Sequence, residues 1–248
     1  MLVNKDPKSA GGQAPIFLTG QLAHIVYPRM TFTGMQGEYV MESKITYFET
    51  ISPENTTKTF ELVRARSAEL GISKVIIAST TGATARAAMD FFKEDNVTLV
   101  VIPHQFGFIR KVNPFPSELI QTLRDAGHHV HFSTMLFHTD GLYGTSTATV
   151  MANLLRCFSQ GVKVCFEIVM MATDGGLASV GEQVIAIAGT GCGSDTALVM
   201  EASSSQEMTK LRVREIMCKP LNPLNIEEIR KELTLGYPGD QSSSSPGQ

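Results

Sequence analysis

The stretch VIIASTTGATARAAMDFF, residues 75–92, decides the fold. Its first four residues form a continuous apolar run rich in β-branched side chains, the pattern of a strand buried on both faces. Ala85, Ala88, Met89 and Phe92 then recur at helical spacing and give the following segment one apolar stripe. Between strand and helix lie Ser79, Thr80, Thr81, Gly82, Ala83 and Thr84. Glycine lets the backbone approach an oxyanion closely, while hydroxyls and the unpaired N–H groups of a helix N-terminus supply donors. This is the layout of a phosphate cradle. The same residue types also build ordinary strand-to-helix turns, and Thr84 can cap the helix it opens. No GK[ST] follows, so the turn is not a Walker loop, and it is not a GxGxxG turn.

A second turn follows a second buried-strand pattern in VIAIAGTGCGSDTALVME, residues 184–201. Gly189, Thr190 and Gly191 open it, and Gly193 adds a third glycine. Such backbone can line an anion nest, or can simply connect two strands that need positive φ. In an open α/β sheet, ligands sit beyond the carboxyl ends of the strands. Parallel neighbours would bring both turns to one edge. His104, Gly107 and Phe108, with Phe106 beside them, follow a third apolar run and should reach the same edge. There a histidine can donate to a ligand and an aromatic ring can stack on one, although loop aromatics also tuck beneath their own loops.

Working outward, strands are expected over 44–49, 98–102 and 129–136, the last carrying His129 and His131. A helix capped by Asn55 should run to Gly71, with Phe60, Val63, Ser67 and Leu70 at helical spacing. Another is expected near 117–126, stopped by Gly127. A third should span about 146–160, carrying Val150, Leu154 and Phe158 on its apolar face and closed by Gly161. The run KVCFEIVMMATD, residues 163–174, reads as helix, because Lys163 and Glu167 stand four residues apart. Three strands follow with little helix between them. The expected fold class is α/β: three layers, α/β/α, around a mostly parallel mixed sheet with antiparallel pairing near the C-terminal end.

Composition bounds the function. The 248 residues are 43% hydrophobic and 18% charged, enough for a sizeable interior. A net charge of −3 with no long basic run argues against nucleic acid as a partner. No uninterrupted apolar stretch reaches transmembrane length, and the first 40 residues lack the order of a secretion signal. A soluble cytoplasmic protein with no membrane partner is expected. The four cysteines form no CxxC pair, and of His128, His129 and His131 only the last two share a strand face, with no third ligand at a fixed spacing, so no metal site is expected. There is no GxSxG elbow, and nothing sets a base beside a nucleophile. Asp195 and Glu49 are candidate contacts for ligand hydroxyls, and each is equally suited to capping a turn. Cys192 is either a reactive thiol or a packed one.

Residues 1–40 are rich in small polar residues, Gly and Pro, and read as a poorly ordered extension. Residues 41–236 form the expected domain, and 237–248 a low-complexity tail.

At Ser79, Thr81, Gly82, Thr84 and Ala85 the chain resembles the phosphate-binding loop of the C-terminal domain of pyruvate kinase, a Thr/Ser-x-[SG]-G-x-[ST]-A pattern. The turn at 189–196 is similar to that domain's later glycine-rich effector loop. More closely, residues from about 41 to 222 resemble a family of stand-alone, uncharacterised prokaryotic proteins with a pyruvate kinase C-terminal domain-like fold. The matching runs are KITYFE with Asn55-Thr56, the AS–TGATA turn, His104 with Gly107-Phe108, SQGVKVCFEI–MATDGGL, and VIAIAGTGCGSDTALV. The resemblance implies a five-stranded mixed sheet and a mononucleotide pocket at 79–84, His104 and 189–191. Flavin mononucleotide (FMN) is the cofactor it points to. It does not extend to the catalytic barrel of pyruvate kinase, so pyruvate kinase activity is not expected of this chain alone. Pro103 and Gln105 depart from the pattern of the stand-alone proteins around His104.

The expectation is therefore a small-molecule-binding protein that holds a phosphorylated ligand. A flavin-dependent oxidoreductase and a regulatory module that binds a sugar phosphate are the alternatives. Catalysis and homo-oligomerisation are left open by the sequence.

Overall fold

A computed structural model describes residues 42–108, 112–140, 144 and 146–236, with side chains as far as 231. The expected N-terminal extension and C-terminal tail lie outside the described residues. In chain order the elements are β1 (Thr46–Phe48), α1 (Asn55–Leu70), β2 (Lys74–Ala78), α2 (Ala83–Phe91), β3 (Thr98–Ile102), α3 (Ser117–Asp125) and β4 (His129–Val130). They continue as α4 (Thr147–Arg156), α5 (Gln160–Asp174), β5 (Gln183–Ala188), β6 (Thr196–Glu201), β7 (Arg212–Pro220) and α6 (Ile226–Gly236).

One seven-stranded sheet has the order β1-β7-β6-β5-β2-β3-β4. Every neighbouring pair is parallel except β5–β6 and β6–β7, so β6 alone runs against the rest. The fold is α/β in three layers with a mostly parallel mixed sheet. Period-2 alternation sends Val75, Ile77, Leu99, Val101, Ile185 and Ile187 into one core, under Phe60 and Val63 of α1, Ala85 and Ala88 of α2, and Leu119 and Leu123 of α3. Ile76, Val100, Val184 and Ala186 point the other way, against Ile168, Val169 and Met171 of α5 and Ala152 of α4. Cover on both faces explains why these strands read as unbroken apolar runs.

Four expectations change. The sheet has seven strands, not five, because β1 and the two-residue β4 complete its edges. The strand expected over 129–136 stops at Val130. His131 N–H still donates to Val101 O, but Pro103 has no N–H to carry the ladder on, and the chain turns into a 3₁₀ segment at Leu136–His138. The helix expected over 146–160 is two helices. Ser159 breaks it and caps the second, its Oγ accepting from Val162 N–H at 3.0 Å. Gly161 is then not a stop but part of α5, and Val150, Leu154 and Phe158 are exposed rather than a buried stripe. Asn55 is not the cap of α1. That position is Glu54, and Asn55 Nδ2 donates to Thr50 O at 2.7 Å.

No helix among the described residues is long and apolar enough to cross a membrane.

Candidate functional site

β2 and β5 are parallel neighbours, with Val75 opposite Ile185 and Ile77 opposite Ile187. The turn at 79–84 and the turn at 189–195 therefore leave adjacent strands at the same carboxyl edge. β3 pairs with β2 on its other side, Ala78 opposite Ile102, which sets His104 at that edge too. This is also where the connections change sides. α2 and α3 cover one face after β2 and β3, whereas α5 covers the other before β5. Such a switch point opens a crevice at the strand ends.

The two turns differ in what they offer. In the first, Gly82 adopts φ 85° at the N-cap of α2, and a Cβ there would lie 2.6 Å from Leu119 Cδ2. The conformation and the close contact together make this a glycine position. Ser79 is buried, and its Oγ accepts from Ala85 N–H at 3.1 Å. It closes the first turn of α2, the capping role the sequence offered to Thr84. Among the described residues no protein group accepts from the N–H groups of Thr80, Thr81, Gly82, Ala83 or Thr84. Thr81 and Ala83 are exposed, and the first turn of α2 carries no acidic residue.

The second turn holds an anion of its own. Asp195 is buried, with Oδ2 accepting from Thr190 N–H at 3.0 Å and Oδ1 accepting from Thr196 Oγ1 at 2.7 Å. Burial pushes its carboxyl above the usual range, against the pull of these hydrogen bonds. Cys192 N–H donates to Thr190 O, and Ser194 N–H donates to Thr56 Oγ1. Gly189 has to be glycine, since a Cβ would meet Gly193 O at 2.4 Å. One N–H of the nest, that of Thr190, is thus given to the turn's own carboxylate, and Gly191, with φ 87°, stays exposed at the rim. Ser194 Oγ is buried without a partner among the described residues. Glu49 is exposed and away from these contacts.

The loop after β3 is pinned at both ends. Asn113 Nδ2 donates to His104 O at 2.9 Å, and Gln105 Oε1 accepts from Met135 N–H at 2.7 Å. Gly107, with φ 74°, reverses the chain between two rings. Phe106 packs on Phe132 with centroids 4.8 Å apart, and Phe108 turns the other way. Its ring stands edge-on between His104, at 5.1 Å, and His138, at 4.8 Å.

Beneath these rings lies a group the sequence reading passed over. Lys163 is 0% exposed and Glu167 2% exposed. Lys163 Nζ donates to Glu167 Oε2 at 2.6 Å and stands 3.0 Å from His138 Nε2. Glu167 Oε1 accepts from Phe137 N–H at 2.9 Å. The i,i+4 spacing served only to mark a helix, yet the surrounding run VCFEIVMMA is apolar on every side. A helix of that kind is buried all round, and any charge in it is buried as well. That signal was available. Burial lowers the Lys163 ammonium, against the favourable effect of Glu167. Burial, followed by the Lys163 cation, pushes the His138 imidazole down to about 4. Its one side is packed while the other remains exposed. His104 is lowered too, chiefly by burial.

Among the described residues no three His, Cys, Asp or Glu side chains are grouped to hold an ion. A groove at the opposite, amino-terminal ends of the strands is lined by Arg64, Ser67, Gly71, Asp95 and Val97. It contains none of the residues above. Arg64 there is engaged by Asp95 at 2.7 Å and lies over the Phe91 ring.

No family model matches the chain. Among solved structures, a pyruvate kinase from Cryptosporidium parvum is similar over 62% of this chain and 24% of its own, with a TM-score of 0.34 and 15% identity. The same enzyme in complex with ADP gives 0.34 and 15% over 62% of this chain and 25% of its own. A third structure of it gives 0.29 and 16% over 53% and 20%. The matched part spans about a quarter of those enzymes or less. The fold assignment rests on the strand order and layers described above.

Proposed function

We propose that the carboxyl edge of the sheet binds the phosphate of a small phosphorylated molecule, with FMN as the candidate ligand. The single observation that carries this is the row of open N–H groups from Thr80 to Thr84 at the start of a nine-residue helix, without an acidic side chain to occupy them. Helix N-termini attract anions through these donors and through the aligned peptide dipoles. Thr80, Thr81 and Thr84 add hydroxyls, and Ser79 shapes the turn rather than facing the phosphate. His104, Gly107 and Phe108 on one side and Gly189, Thr190 and Gly191 on the other flank the space for the ring and sugar. The donor set suits a phosphate, and an aromatic ring among neutral imidazoles suits a flat heterocycle. A flavin would bring redox chemistry of its own, and these residues would bind and orient it.

The test is to look for a yellow chromophore in the purified protein and then to titrate FMN by fluorescence quenching. Absence of binding up to about millimolar, equivalent to roughly 4 kcal/mol, overturns the proposal. Ala83→Asp is the decisive variant. Residue 83 is exposed in the first turn of α2, where a carboxylate favours the helix by about 0.3–1 kcal/mol while competing with phosphate for the same donors. A variant at least as stable as the parent that no longer binds FMN is the expected result. Displacement of FMN by fructose 1,6-bisphosphate would replace the flavin with a sugar phosphate as the ligand.

A further inference from the structure

The cluster under Phe108 fixes the state of one imidazole. An ammonium has only hydrogens to give, so the His138 Nε2 that lies 3.0 Å from Lys163 Nζ must present its lone pair. The ring proton of neutral His138 is then on Nδ1. That nitrogen has no partner among the described residues, and His138 is exposed on the side away from Lys163. Lys163 is itself held by Glu167, and Glu167 by Phe137 N–H, so the chain of contacts is closed behind the ring and open in front of it. With the pair self-compensated and the ring uncharged near neutral pH, what is presented outward is a neutral N–H donor beside an aromatic ring. Taking a lysine and a glutamate out of water is costly before they attract each other, and a stabilising core does not need them. Holding one tautomer of an exposed histidine does.

We infer that Phe108, His104 and His138 form a subsite for a planar ring bearing a carbonyl oxygen, with His138 Nδ1–H donating to that oxygen and the Lys163–Glu167 pair positioning the imidazole from behind. The inference rests on the reading above for the phosphate half of the ligand and adds the chemical class of its other half. Lys163 and Glu167 touch no ligand in this arrangement. They are positioning residues.

Three probes separate the halves: FMN, riboflavin (the same ring without phosphate) and inorganic phosphate. Riboflavin is expected to bind, and FMN to bind about tenfold or more tighter than inorganic phosphate, the worth of one good hydrogen bond plus ring contact. In His138→Phe, riboflavin binding drops about tenfold and the advantage of FMN over phosphate shrinks correspondingly. If His138→Phe leaves the affinities for riboflavin and FMN within about twofold of the parent, the subsite is overturned and the phosphate site stands. Riboflavin binding without phosphate binding overturns the phosphate site and keeps the subsite, and binding of neither removes both. Nitrogen NMR of labelled histidine is the second measurement and needs no variant. His138 should show the proton on Nδ1, and a proton on Nε2 overturns the inference. The double variant Lys163→Met with Glu167→Gln should release His138 into a mixture of tautomers and weaken riboflavin severalfold, whereas a pair that only fills the core would leave both readings unchanged.

Discussion

Gly161 stands where a Cβ would lie 2.1 Å from Thr196 Oγ1 and 3.1 Å from Asp195 Oδ1. The first turn of α5 is thereby pressed onto the start of β6, and Ser159 Oγ comes within 3.4 Å of Thr196 Oγ1. Gly161→Ala forces these groups apart and should cost about 1–3 kcal/mol, the usual range for overpacking. Urea denaturation reads the loss as a lower midpoint. An unchanged midpoint would show that the contact can relax freely.

Ser79→Ala removes the acceptor of Ala85 N–H, and the loss of such a cap costs about 0.5–2 kcal/mol. Because the Ser79 hydroxyl is already engaged, the change should weaken FMN much less than Ala83→Asp does. Equal losses in the two variants would mean that Ser79 also contacts the phosphate.

Lys163→Met leaves the Glu167 carboxylate buried, with Phe137 N–H still donating to Oε1 but Oε2 stripped of its ammonium, and should cost about 3–5 kcal/mol. Adding Glu167→Gln removes the stranded charge, so the double variant should be less destabilised than the sum of the singles. Strict additivity in a double-mutant cycle would deny the coupling.

Acid should weaken the fold in a defined window. Unfolded histidines take up protons as the pH falls through 6.5, whereas native His138 holds out to about 4. Between those values the unfolded chain binds more protons, so stability present above 6.5 is lost as acid is added. Desolvation is the main cause. Of the charges that face His138, Lys163 and Arg156 reinforce it, His104 adds to it and Glu167 opposes it. His104 and His128 are lowered as well and act in the same direction. Asp195, raised by burial, works the other way at the acid end, so the upper part of the window is the part to read. Urea midpoints from neutral pH down to about pH 5 should fall, and fall less steeply in His138→Phe.

Strand and helix types were readable in the sequence wherever period and punctuation agreed. The apolar runs at 75–78, 98–102 and 184–188 became the central strands, and Gly71 closes α1 with φ 66°. The shared edge of the two glycine turns followed from their place after parallel neighbours. What failed depended on contacts distant in sequence. Gly161 looked like a helix stop because nothing local announces Thr196 on its other side. The strand after His129 looked long because the missing N–H belongs to Pro103 on its neighbour. In the site, the open N–H groups at 80–84 could be expected from local pattern, but the capture of Thr190 N–H by Asp195 could not. The His138–Lys163 contact joins residues on separate elements, and no spacing rule reports it.

Among the described residues β1 reaches the sheet only through β7, the last strand there, and α1 also touches that late region, with Thr59 Oγ1 donating to Ser194 O. β1 therefore has no partner strand among the described residues until β7 is made. Pairing Thr46 with Cys218 is a closure between distant stretches, and closure of that kind slows folding.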